Sequence, residues 1–109
     1  MANVQPPPII CLCGSTKFKD RFLKLNALFT LKGWVVVTVG MFGHADSVKL
    51  SRENKAVVDV LHFAKIDMAE VVYIINTNGY IGESTEREIA YARMRGKQIV
   101  YDEPGSPAG

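Results

Sequence analysis

A chain of 109 residues has room for one domain with one core, close to the minimum for a sheet covered by helices, and excludes a second domain. Hydrophobic residues make up 48% and charged residues 22%, ordinary values for globular proteins, which excludes disordered and fibrous classes. The net charge of +2 comes from 13 basic and 11 acidic residues scattered along the chain, so no patch for polymeric nucleic acid is indicated, and no apolar run reaches the roughly 18 residues of a membrane span.

The opening "MANVQPPPII" lacks the positive and long apolar regions of a signal peptide, which points to a cytoplasmic protein. Its "QPPP" is an extended lead-in that cannot be helical. The first expected strand, Ile9 to Cys13, places Cys11 and Cys13 on one face, where a mutual disulfide is geometrically poor. A metal site needs more ligands than His44 and His62 readily offer, so reduced, buried thiols and no metal are expected.

The next stretch, "CGSTKFKD", combines a tight turn at Gly14 with Ser15 or Thr16 as a helix cap. Such a turn serves either as a plain cap or as an anion seat for phosphate or sugar. It is neither a Walker A loop nor a GxGxxG fingerprint. A first helix follows, with Phe18, Phe22, Leu25 and Phe29 inward and a stop at Lys32-Gly33. The second strand runs from Trp34 to Val39. Its loop, "VGMFGHADS", offers Phe42 for stacking and His44 or Asp46 for polar contacts, or is merely a solvated connection.

The spacing predicts a second helix over about Ser51 to Met68, with Val57, Leu61, Ala64 and Met68 inward. Asp67 near its carboxyl end is poorly placed for the helix dipole, leaving a surface carboxylate beside Lys65 or a functional role. The third strand, Val71 to Asn76, leads to Asn78, Gly79 and Tyr80. In "YIGESTEREIAYARMRGK" a third helix is expected from Thr85 to Arg95, with Ile89 and Ala92 inward. Thr85 as N-cap and Glu88 three residues on match a capping box, and Glu83 and Glu86 suit a positive helix end. The fourth strand is Gln98 to Tyr101, and "EPGSPAG" is a Pro- and Gly-rich tail, giving a working domain of about 8–103.

All four strands are apolar on nearly every residue, the pattern of strands covered on both faces. Strands alternating with helices define a small doubly wound, Rossmann- or flavodoxin-like α/β domain with a parallel sheet of four or five strands. Ligands in such domains bind at the carboxyl ends of the strands, near the switch in strand order.

Three segments carry a family likeness. "GESTEREIAYARMRGK", "ICLCGST" and "KIDMAEVVYIIN" resemble, in order, the closing motif, the opening strand and the middle segment of nucleoside 2-deoxyribosyltransferases and the related deoxynucleoside 5′-monophosphate N-glycosidases. The resemblance implies cleavage or transfer of an N-glycosidic bond in a (deoxy)nucleoside or its 5′-monophosphate, with Glu88 as nucleophile and Asp67 as its helper. It implies substrate contacts at Gly14, Ser15 and Thr16, and in the last motif at Gly82, Glu83 or Ser84. Phe42, His44 and Asn76 complete the candidate binding set at the carboxyl edge.

The chain departs from the family at Ala90, where glycine is usual, and at Gly82, where a polar residue is usual. Those departures and the altered middle loop favour the alternative, a non-catalytic nucleotide-binding or sensing domain. A purely structural module would leave the glycine-rich loops unexplained. No cofactor is implied, and the short chain suggests a pocket completed by a second copy in a homodimer or larger homo-oligomer.

Overall fold

The computed structural model describes residues 5–104; residues 1–4, and the tail residues 105–109, lie outside the described residues. Apolar β-rich runs form β1 (Ile9–Gly14), β2 (Val35–Val37), β3 (Val71–Ile75) and β4 (Gln98–Tyr101). Between them lie α1 (Lys19–Leu31), α2 (Arg52–Met68) and α3 (Glu83–Met94), with short 3-10 turns at Thr16–Phe18 and Thr77–Gly79. The sheet is parallel throughout, in the order β2-β1-β3-β4. The expected doubly wound architecture is therefore present, with four strands. No helix among the described residues is long and apolar enough to cross a membrane.

Alternation along the strands divides the core in two. Cys11, Cys13, Val72 and Ile74 pack with Ile66 of α2 and Ile89 and Ala92 of α3. Leu12 and Ile75 point the other way, onto Phe22 and Leu25 of α1. Full burial of a side chain such as Phe22 contributes about 1.5–3 kcal/mol.

Glycines end α1 and α3 in the same manner. Gly33 (φ +94°) lets the Trp34 N–H reach the Phe29 carbonyl at 3.0 Å, and Gly96 (φ +71°) lets the Lys97 N–H reach that of Ala92 at 3.0 Å. Ser51 caps α2 by accepting the Asn54 N–H at 3.1 Å.

Three expectations need correction. The second strand is confined to Val35–Val37, because it is an edge strand with β1 as its one partner, and Trp34 turns instead onto Phe29. The inward face of α2 is not Val57, Leu61, Ala64 and Met68: Val57, Leu61 and Met68 are each more than half exposed, and His62 and Ile66 are buried. The helix is apolar on several sides, so spacing alone admits two stripes about 100° apart. Finally, α3 begins at Glu83 behind Gly82, not at Thr85; the Thr85 side chain is buried and the capping box does not form.

One ion pair ties α1 to the end of β4. The Asp102 carboxylate, 3% exposed, accepts Arg21 Nε at 2.8 Å, Arg21 Nη2 at 2.6 Å and the Tyr73 hydroxyl at 2.8 Å. Arg21 holds the Asp102 carboxyl below its ordinary value, while burial and Asp102 push the Tyr73 phenol up to about 12. A depressed carboxyl stabilises the fold fully above the ordinary aspartate value of about 3.9, and this contribution is lost as pH falls below it. Asp102→Asn should therefore lower the melting temperature at neutral pH and flatten its acid dependence, as measured by thermal denaturation across pH.

Candidate functional site

The order β2-β1-β3 makes β1 and β3 the pair from which successive crossovers run in opposite directions, so a crevice opens beyond their carboxyl ends. A pocket of about 560 Å³ occupies it, within the 300–1,000 Å³ usual for small-ligand sites. Its floor is the turn after β1, Gly14, Ser15 and Thr16. At Gly14 a Cβ would lie 2.7 Å from the Ile75 carbonyl oxygen, so glycine is what allows β1 and β3 to close under the pocket. The Ser15 hydroxyl accepts the Lys17 N–H at 3.3 Å as a cap. Thr16 Oγ1 accepts the His44 N–H at 3.2 Å, fastening the middle loop over the floor.

The start of α3 supplies Gly82, Glu83, Ser84, Thr85 and Glu88, and α2 supplies Lys55, Val58, Asp59, Leu61, His62 and Lys65. The Ser84 hydroxyl is met by Lys55 Nζ at 3.3 Å and Arg87 Nη2 at 3.1 Å, which gathers two cations at the amino end of a helix, a setting suited to an anion. Lys55 is also held by Asp59 at 3.0 Å. The Lys65 ammonium donates to the Thr38 carbonyl at 2.7 Å.

Glu88 is the sixth residue of α3, facing into the molecule with its side chain 14% exposed. Its Oε1 lies 3.8 Å from His62 Nε2, and the same nitrogen lies 3.2 Å from Cys13 Sγ and 3.9 Å from Cys11 Sγ. Burial pushes the Glu88 carboxyl up to about 7, His62 working against it. Glu88 lies in the second turn, where the helix dipole has faded, and desolvation prevails. Burial pulls the His62 imidazole down, but the Cys11 hydrogen bond and the Glu88 charge outweigh it and leave it above its ordinary value. The contact between the two thiols draws Cys11 down to about 6, and the same contact together with full burial drives Cys13 well up.

The pocket brings together Glu88, Gly14, Ser15, Thr16, His44, Gly82, Glu83 and Ser84 from the expected set. It does not include Asp67, Phe42 or Asn76. Five residues turn a helix through about 500°, so Asp67 faces some 140° away from His62. There its carboxylate accepts the Tyr91 hydroxyl at 2.7 Å and Arg95 Nε at 2.9 Å. Phe42 turns inward onto Phe22, ring centroids 5.5 Å apart, and the aromatic ring on the pocket wall is Tyr80. Asn76 is fully buried; its amide donates to the Glu103 carbonyl at 3.2 Å and accepts the Glu103 N–H at 2.8 Å. Asp67→Asn should leave ligand binding at the pocket unchanged, with only a small shift in melting temperature, as checked by equilibrium binding and thermal denaturation.

Sequence reasoning weighed His62 only as a metal ligand and passed over Lys55 and Asp59. The available signal was the spacing Val58, His62, Ile66, a helical stripe one position away from the one chosen. No protein-family model matches the chain, and no curated protein matches it significantly.

Proposed function

We propose that the chain cleaves or transfers the N-glycosidic bond of a (deoxy)nucleoside or its 5′-monophosphate, with Glu88 as nucleophile. The reading is carried by one observation, a nearly buried carboxylate facing a nucleotide-sized pocket whose rim gathers cations at Ser84. The likeness of three segments to the deoxyribosyltransferases and N-glycosidases supports it independently.

In this mechanism a Glu88 oxygen bonds to C1′ as the C1′–N bond breaks and its electron pair leaves with the base, giving a glycosyl ester. With Asp67 outside the pocket, the helper role passes to Asp59, whose charge bears on Glu88 and whose side chain lines the same wall. The departing base nitrogen takes up a proton from water. Water then opens the ester to the free sugar, or a second base takes the sugar over. The Ser15–Thr16 turn and the cations around Ser84 suit a 5′-phosphate.

The test is a panel of deoxynucleosides and their 5′-monophosphates, with and without an acceptor base, followed for free base by chromatography. Release, or exchange of bases, supports the reading. Saturable binding with no release from any member supports the sensing domain instead.

The same reading makes the chain a homodimer or larger homo-oligomer. Val57, Val60, Leu61 and Met68 form an exposed apolar stripe on α2, and Leu61 belongs also to the pocket wall, so a second copy seated there would close the pocket. Val60→Glu should convert the assembly to monomer; a monomeric elution volume for the unaltered protein at micromolar concentration would remove this element.

A further inference from the structure

Cys11, Cys13 and His62 are the group of potential metal ligands found together among the described residues, all three buried, with their donor atoms within 4.8 Å of one another. We propose that they form a binding site for a divalent, thiophilic cation of the zinc class, whose fourth position faces Glu88.

The geometry follows from the fold. Residues two apart on β1 present both thiols to the face covered by α2, and one turn before Ile66 that helix offers an imidazole. In a tetrahedral zinc site, bonds of about 2.3 Å to sulfur and 2.0–2.1 Å to nitrogen set sulfur and nitrogen about 3.5 Å apart. The separations of 3.2 Å and 3.9 Å from His62 Nε2 bracket that value. Glu88 Oε1, 3.8 Å from the same nitrogen, borders the pocket beside the three donors.

Charge balances as well. Two thiolates and one carboxylate carry three negative charges, met by a divalent cation and by Lys65, which is near enough to bear on both Cys11 and His62. Entry of the cation forms two metal–sulfur bonds and one metal–nitrogen bond and expels the thiol and imidazolium protons to solvent. The cysteines are closed off from solvent, whereas His62 and Glu88 border the pocket, so the cation enters from that side.

This assignment does not rest on the glycosidase reading, and its readout does not use activity. The reduced full-length chain is titrated with Co²⁺ and followed by absorption. The expected result is saturation at one equivalent, with a thiolate-to-cobalt charge-transfer band in the near ultraviolet and the intense visible bands of four-coordinate cobalt, both bleached by one equivalent of Zn²⁺. Cys11→Ser and Cys13→Ser should each weaken the charge-transfer band, and Glu88→Gln should preserve it while shifting the visible bands. Folding of each variant is checked by circular dichroism. A folded wild-type protein that shows only the pale spectrum of hexaaqua cobalt overturns the proposal without recourse to any variant, and so does a charge-transfer band that survives loss of both thiols. An unchanged visible spectrum in Glu88→Gln removes Glu88 from the fourth position.

Discussion

Glu88→Gln should abolish base release, a loss on the order of 10³-fold or more, without unfolding the protein. The amide keeps the shape of the side chain but cannot form the ester with C1′. Stability should move in the opposite sense. Because burial raises the Glu88 carboxyl to about 7, the ionised form costs the fold nothing below the ordinary glutamate range, and the cost is complete above about 7. The glutamine variant escapes that cost, so its melting temperature relative to wild type should rise between pH 5 and pH 8. Chromatography of the released base and thermal denaturation at the two pH values check both halves. A variant that loses stability at pH 8 would show that the carboxylate is held by favourable contacts and not by desolvation.

Gly14→Val should cost about 2–6 kcal/mol, combining an overpacking penalty of about 1–3 kcal/mol with backbone strain of about 1–3 kcal/mol. The new Cβ would meet the Ile75 carbonyl oxygen at 2.7 Å and the Ile75 Cβ at 3.0 Å, and at φ +155° a β-branched residue is strained as well. Backbone cannot yield as a flexible side chain does, so β1 and β3 must separate where Gly14 floors the pocket. Urea denaturation measures the loss. Gly40→Ala is the matched control, since the nearest atom to its Cβ is the mobile end of Lys65 at 3.9 Å, and it should shift stability by less than about 0.5 kcal/mol. If the two variants denature alike, close approach at Gly14 is not what glycine provides.

The architecture was legible because continuous apolar runs such as Ile9–Cys13 and Val71–Ile75 have one common explanation, strands covered on both faces. Glycine stops at Gly33 and Gly96 were legible for the same reason: the left-handed conformation they adopt discriminates strongly among residue types. The site was legible where it lies on loops beside strand ends, hence Gly14 to Thr16 and Gly82 to Ser84. It was illegible on α2, where Val57, Val58, Val60, Leu61 and Ile66 surround the helix with apolar residues and periodicity cannot choose the buried stripe. His62 was lost with that choice, and with it the link between β1 and Glu88. Asp67 was selected because it opposes a dipole and falls on the aspartate of the family likeness, yet its charge is met by Tyr91 of α3 and by Arg95 at its end, a tertiary answer that local spacing does not contain.

The exchange between the Asn76 amide and the Glu103 backbone has a dynamic consequence. It adds to the end of β3 and β4 a rung made by a side chain, with the same donor–acceptor reciprocity as a strand pair. Fraying of β4 from its carboxyl end must break this rung first, so local opening of that edge is coupled to β3, the strand paired with β1 beneath the pocket. The segment 77–82, which leads to Gly82 and on to Ser84 of α3, thus starts from an anchored root.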